Sequence, residues 1–406
     1  MATLSSAAVE VISKEIIKPA TPTPHGFRKF NLSLLDQYCP PVYIPIILFY
    51  PVVAVANSTP GSKHHDDIDL LKKSLSETLV HFYPMAGRMK DNIVIDCNDE
   101  GIGFSVVKIK GKMCDFMMQP DESLNLLLPS EVISMKFVKE AQVIVQVNMF
   151  DCGGTVICLC TSHKIADLCT MSTFIRNWAS TTNAARYGGA IVASTTNQNL
   201  LPSFDSTSLF PPREQLVSPS GIPPIPVKNP TDDIRGNKIV SKKFVFDAVK
   251  ITSVRDKLEV LMHDNYKCYR PTRVEVVAAL IWKAAIISTP TGSLSTVNFV
   301  VNYRKRMDPP LLDVSFGNLT GTVAVALPAT NKTSIEVEVQ EEPIAKNITG
   351  VENEGLALLM TSWCRFGLYD ADFGWGKPTW VTTDPFIEPN KNIIVMNDMK
   401  CGEGIE

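Results

Sequence analysis

Residues 143–178 constrain the fold of this 406-residue chain more than any other stretch. Val143-Ile144-Val145-Gln146-Val147-Asn148-Met149-Phe150 is a mostly apolar run of strand length, Gly153-Gly154 offers a hairpin turn, and Thr155-Val156-Ile157-Cys158-Leu159-Cys160 is a second such run. A polar hexapeptide follows, Ser162-His163-Lys164-Ile165-Ala166-Asp167. Then Leu168, Met171, Phe174, Ile175 and Trp178 recur at the three-and-four spacing of a helix with one buried face. A hairpin that runs straight into an amphipathic helix belongs to a sheet-plus-helix architecture, not to an all-helical bundle. It also leaves His163 at the mouth of the helix, where a scaffold can hold a general base rigidly.

Histidine followed four residues later by aspartate is not specific, and the pattern occurs twice among the six histidines of the chain. The other copy, His65 and Asp69, lies in Ser62-Lys63-His64-His65-Asp66-Asp67 after Pro60-Gly61 and reads as a solvated loop and helix start without a buried scaffold. His163 differs because apolar strands deliver it, although a core histidine bonded to backbone would fit the same position.

Around this centre strands and helices alternate. Residues 9–17 read as a strand, 67–82 as a helix with Leu71, Leu75, Leu79 and Phe82 on one face, and 92–96 and 103–107 as strands paired around Asn98-Asp99-Glu100-Gly101. Between 181 and 233 Thr, Asn, Ser and Pro dominate without periodicity, which marks a crossover linker between two domains, 1–180 and 234–406. Beyond it, 242–246 and 297–301 read as strands, and Pro271-Thr272-Arg273-Val274-Glu275 opens a helix running to Lys283.

At 45% hydrophobic residues the chain can bury a core large enough for two domains. A net charge of −3 and the lack of a basic stripe give no basis for a nucleic-acid partner. The first residues lack a basic leader, and the apolar run 42–55 is short and broken by prolines, so a soluble, cytoplasmic protein that does not enter a membrane is expected. Ten cysteines, Cys158 and Cys160 among them, fit reduced buried thiols, and no tetrahedral ligand spacing suggests a metal. Neither GxxxxGK[ST] nor GxGxxG occurs, and there is no GxSxG nucleophile elbow, which disfavours those nucleotide and serine-hydrolase chemistries.

Two motifs taken together carry a resemblance. His163-Lys164-Ile165-Ala166-Asp167, with Asp372-Phe373-Gly374-Trp375-Gly376 far downstream, resembles the HxxxD and DFGWG pair of the plant BAHD acyl-CoA-dependent acyltransferases. Leu32-Ser33-Leu34-Leu35-Asp36-Gln37, Phe82-Tyr83-Pro84-Met85-Ala86-Gly87-Arg88, Pro271-Thr272-Arg273-Val274-Glu275 and Ser315-Phe316-Gly317-Asn318 are similar to further segments of that family. The similarity runs nearly end to end and is nearest to the vinorine synthase-like branch.

The resemblance implies an α/β (α+β) fold of two chloramphenicol-acetyltransferase-like domains, each a mixed sheet with helices, with a solvent channel between them. It implies a monomeric acyl-CoA-dependent O-acyltransferase that needs no metal and moves an acyl group, by expectation from acetyl-CoA, to a small-molecule alcohol of alkaloid or terpenoid type. His163 would be the general base. For Asp167 a triad-like contact with the imidazole stands against an ion pair with Arg304, with Arg306 as the fallback. The pair is favoured because a buried carboxylate without a cation is costly. Asp372, Phe373, Gly374, Trp375 and Gly376 would shape the cofactor channel away from the base.

The chain departs from the family pattern in two places. The 319–362 segment is short, with no amphipathic helix over 332–350, and the sequence stops at Cys401-Gly402-Glu403-Gly404-Ile405-Glu406, where relatives are expected to continue. Two alternatives therefore stay open. One is a truncated, inactive family member that binds a metabolite or a partner, and the other is an acyltransferase using a hydroxycinnamoyl or malonyl donor or an amine acceptor.

Overall fold

The computed structural model describes residues 9–52, 62–118, 122–133, 141–188, 200–213, 240–262, 270–290, 293–328, 356–383 and 392–406. Its first half is organised by the expected hairpin. Strands β1 (Val9–Ile17), β2 (Lys29–Asn31), β3 (Tyr43–Tyr50), β4 (Arg88–Lys90), β5 (Val94–Asp96) and β6 (Ile102–Ile109) precede β7 (Val143–Phe150) and β8 (Thr155–Ser162). β7 and β8 pair antiparallel from Val143↔Thr161 to Met149↔Thr155. Gly153 turns the chain at φ +83°, where a Cβ would come within 2.9 Å of Val52.

β7 and β8 sit in the middle of a six-stranded mixed sheet of order β1-β6-β7-β8-β3-β12, in which β12 is Trp380–Thr382. Alternation along the strands explains why they read as continuous apolar runs, since both faces are covered. Ile46, Leu48, Tyr50, Ile157 and Leu159 face one core cluster, and Ile47, Phe49, Val156, Cys158 and Cys160 face another. Helices α1 (Ser62–His81) and α2 (Leu168–Arg186) cover the first face, supplying Leu71, Leu75 and Leu79 from α1 and Met171, Phe174, Ile175 and Trp178 from α2.

The second half is built on a four-stranded sheet of β9 (Leu294–Asn302), β10 (Thr320–Pro328), β11 (Leu356–Ser362) and β13 (Ile393–Met396), in the order β10-β9-β11-β13. Helices α3 (Ala248–Met262) and α4 (Arg273–Ile287) pack on it through Ile251, Val276 and Val277. The start of α4 follows its sequence signature, with Thr272 and Glu275 forming a reciprocal capping box. β12 (Trp380–Thr382) leaves this half and pairs antiparallel with β3, so residues late in the chain complete the first sheet.

Four expectations need correction. Strands 92–96 and 103–107 do not pair with each other. β5 pairs with β2 and β4 in a separate three-stranded sheet, and β6 lies between β1 and β7, because each finds a longer-range partner with its own hydrophobic register. Residues 242–246 do not form a strand, and only Phe246 makes a bridge, to Ile405. The 67–82 helix begins earlier, at Ser62. Residues 181–186, read as linker, finish α2 because the Thr181 and Thr182 hydroxyls bond back to the carbonyls of Asn177 and Trp178, which hides the helix behind polar residue types.

The described part of the linker, 200–213, runs between the halves. Ser203 brackets the 314–316 backbone through Ser203 N–H to Val314 O at 3.0 Å and Phe316 N–H to Ser203 O at 2.7 Å. The 189–199 and 214–233 parts of that linker, and the 332–350 segment, lie outside the described residues.

Candidate active site

The hexapeptide after β8 is fixed residue by residue. His163 N–H donates to Val42 O at 2.8 Å, just before β3, and Ser162 N–H donates to Gln142 O at 2.8 Å. Lys164 is buried, its Nζ donating to Gln37 O at 2.7 Å. Desolvation lowers its pKa, partly offset by the negative potential of the Cys39 and Asp36 side chains. Ile165 and Ala166 are fully buried, so the turn that presents His163 is gripped by core on both sides.

Asp167 closes the turn as the N-cap of α2, its Oδ1 accepting Thr170 N–H at 3.0 Å. The same carboxylate receives a two-pronged ion pair from Arg304, with Nη1 to Oδ2 at 2.6 Å and Nη2 to Oδ1 at 3.0 Å, and it also accepts Leu319 N–H at 3.0 Å. Arg304 has no exposed surface, and its guanidinium also donates to Ser315 O and Gly317 O. Burial works against its charge, and Asp167 more than offsets this, leaving its pKa raised. The carboxylate is thus spent on the helix cap and the cross-chain pair, with no hydrogen bond to the imidazole. Arg306 instead donates to Asn302 O at 2.9 Å.

The imidazole partner is Asn318. Its Nδ2 donates to His163 O at 2.7 Å and to Asp36 Oδ1 at 2.9 Å, so both amide hydrogens are committed and its Oδ1 is the atom that faces His163 Nδ1, at 3.0 Å. The neutral ring therefore carries its hydrogen on Nδ1 and its lone pair on Nε2. Asp36 holds this arrangement from below: its Oδ1 also accepts Asn318 N–H at 2.6 Å, and its Oδ2 accepts Ser33 N–H at 2.8 Å and Ser33 Oγ–H at 2.6 Å. Complete burial raises the Asp36 pKa, and these hydrogen bonds pull against that rise.

Asp36 and Asn318 were quoted in the sequence segments without a role. The local signal was the capping box Ser33-x-x-Asp36, which turns the carboxyl back on its own helix start. Nothing in the sequence announces a contact between positions 36 and 318.

His163 lines a cavity of about 1330 Å³ whose walls come from both halves, among them Leu168, Asn302, Trp363, Trp380 and Thr382. Trp363 is both buried and part of this wall. Among the described residues no group of three or more His, Cys, Asp and Glu is placed to hold a metal ion.

The second motif lies elsewhere, and none of residues 372–376 lines this cavity. Asp372 Oδ1 accepts Gly374 N–H at 2.8 Å and Gly376 N–H at 2.9 Å, closing a tight turn with Gly374 at φ +92°. Phe373 is buried edge-on against Tyr50 and Trp178 and stacks with Trp375. The Arg186 guanidinium lies 5.4 Å from the Trp375 ring centre and pairs with Asp67. Helix α2, roughly 28 Å long at 1.5 Å per residue, therefore touches both motifs. It carries Asp167 at one end, and Asn183 and Arg186 near the other hold the Asp372 to Trp375 turn.

A two-half sheet-and-helix scaffold with a histidine at a shared cavity fits the acyltransferase architecture that the resemblance implies. The model of the Transferase family matches residues 7–341 and 328–406, and the chain belongs to that family, the BAHD acyl-CoA-dependent acyltransferases. It is 61% identical to (13S,14R)-1,13-dihydroxy-N-methylcanadine 13-O-acetyltransferase AT1 of Papaver somniferum, over all of this chain and 95% of that one. It is 58% identical to salutaridinol 7-O-acetyltransferase of Papaver somniferum, again over 100% and 95% of the two chains. The crystal structure of vinorine synthase superposes with a TM-score of 0.73 at 30% identity, over 98% of this chain and 93% of that one, and it establishes the two-domain chloramphenicol-acetyltransferase-like fold. The chain is an acyl-CoA-dependent alcohol O-acyltransferase, with acyl-CoA as co-substrate.

Proposed function

We propose that this enzyme transfers the acetyl group of acetyl-CoA to a hydroxyl of a plant alkaloid, with His163 as the general base. The acceptor class rests on the two Papaver relatives, whose names describe acetylation of alkaloid oxygens. The observation that carries the chemistry is the fixed imidazole: Asn318 occupies Nδ1 and leaves the Nε2 lone pair for the cavity. The acceptor oxygen attacks the thioester carbonyl as Nε2 takes its proton. The tetrahedral intermediate collapses, the C–S bond breaks, and the departing CoA thiolate takes that proton from the imidazolium.

Asp167 and Arg304 act at one remove by holding the turn that presents the ring. The proposal includes a monomeric, cytosolic protein, and the buried free thiols Cys97, Cys158, Cys160 and Cys169 support the reducing compartment.

The test is thiol release from acetyl-CoA with a panel of alkaloid alcohols. His163→Ala is expected to lower kcat by about two to four orders of magnitude while keeping the wild-type circular dichroism. Undiminished turnover in that variant would sink the mechanism.

One observation favours a second reading, a non-catalytic relative. The family model matches in two pieces that overlap at 328–341, and the alignment to the first Papaver relative spans 455 positions against the 406 residues of this chain, so it carries gaps opposite this chain. A folded protein that releases no thiol with any acceptor, yet binds an alkaloid alcohol, would establish that reading instead. Hydroxycinnamoyl-CoA, malonyl-CoA and amine acceptors in the same panel separate the remaining donor and acceptor classes.

A further inference from the structure

One part of the cavity wall has a chemistry that proton transfer does not use. Trp380, Lys243 and Glu406 all line the cavity that His163 lines. Trp380 is buried, backed by Phe49 at a ring separation of 4.8 Å, and its indole N–H donates to Glu406 Oε1. The Lys243 ammonium lies 4.6 Å from the centre of the Trp380 ring and donates to Met117 O at 3.0 Å. Burial raises the Glu406 carboxyl pKa, and the indole hydrogen bond and the Lys243 charge work against that rise. An aromatic face next to a carboxylate in a partly dry wall is the arrangement that attracts an organic ammonium ion. In this structure it already holds one, supplied by the chain itself.

Lys243 is also the member most easily moved. It comes from residues 240–247, which make no helix or strand beyond the Phe246 bridge to Ile405, and its neighbours Val240, Phe244 and Val245 are exposed. Trp380, by contrast, is fixed in β12, and the backbone of Glu406 is paired in both directions with Asn397.

We propose that Trp380 and Glu406 form a specificity subsite for a positively charged nitrogen of the acceptor, which takes the place of the Lys243 ammonium. The inference rests on the acyltransferase reading and adds to it: the preferred alcohols are tertiary or quaternary amines, and charge is read in the wall while His163 acts on the hydroxyl. Lys243 serves as an internal cation that occupies the Trp380 face until the acceptor arrives.

The test uses two acceptors of the same skeleton, an alkaloid alcohol with a quaternary N-methyl nitrogen and its neutral lactam counterpart. Glu406→Gln is expected to raise KM for the cationic alcohol about tenfold more than KM for the neutral alcohol, the equivalent of roughly 1.4 kcal/mol. Lys243→Met, which removes the internal competitor, is expected to lower KM for the cationic alcohol several-fold. Equal effects of Glu406→Gln on both acceptors, or none on either, would overturn the subsite. Absence of turnover in the wild type with either acceptor would overturn the acyltransferase reading instead. The subsite would then be judged by calorimetric titration of the cationic alcohol into wild type and Glu406→Gln, where matching affinities would rule it out.

Discussion

The two sheets of this molecule are packed very differently, although both contribute to one cavity. In the first half the six-stranded sheet is covered on both faces, and central residues such as Ile46, Ile47, Leu159 and Cys160 have no exposed surface. In the second half one main cluster lies between the four-stranded sheet and its two helices, and large apolar side chains stand outside it, with Val249 and Val260 each 76% and Ile287 72% exposed. Within the second half the 302–319 loop is buried as deeply as the first-half core, at Arg304, Phe316 and Asn318. The difference teaches where rigidity is placed. The half that holds the base is covered on both faces of its sheet, and the other half meets it at the 302–319 loop, which orients that base, at β12 and at the 372–376 turn.

The largest effect is expected where Arg304 meets Asp167. Arg304→Ala leaves Asp167 as a buried carboxylate without its cation, which should cost about 3–5 kcal/mol. Urea denaturation followed by tryptophan fluorescence would show it as a large shift of the midpoint. A loss below 1 kcal/mol would mean that the halves do not depend on this pair.

Asn318→Leu comes next. It strips Asp36 and the His163 carbonyl of donors, at about 1–3 kcal/mol, and frees the ring to take the other tautomer. A fall in kcat larger than the change in KM is expected from steady-state kinetics. An unaltered kcat would remove Asn318 from the positioning of the base.

The smallest effect should come from the exposed face of the second half. Ile287→Ser is expected to change stability by no more than about 0.5 kcal/mol, measured in the same denaturation series. A loss above 1 kcal/mol would show that this surface is covered in solution and that the comparison overstates its thinness.

Most of the first half was legible because its signals are local. The β7–β8 hairpin and the apolar face of α2 each follow from residues close together in the chain, and in the second half the start of α4 does too. The strand pairing of 92–96 was misread because pairing choice depends on which distant strand offers a matching face, and a short loop between two runs is a poor guide to it. Residues 242–246 alternate like a strand, yet the segment lies at the cavity wall, where Phe246 finds one partner and its neighbours none in a ladder.

The sequence by itself determined the local machinery: a histidine held between a buried strand and a helix, an aspartate at the N-cap position, and a glycine-flanked aromatic turn far downstream. Periodicity and capping are short-range physics, and the residues that obey them are adjacent in the chain. Tertiary structure alone decided which groups those residues meet. It turned Asp167 onto Arg304, 137 positions away, and it set Asn318 rather than a carboxylate against the imidazole. It also brought Trp380, late in the chain, beside Phe49 in the first sheet. These choices belong to long-range burial, because a charge or amide taken out of water must find a partner wherever the fold delivers one.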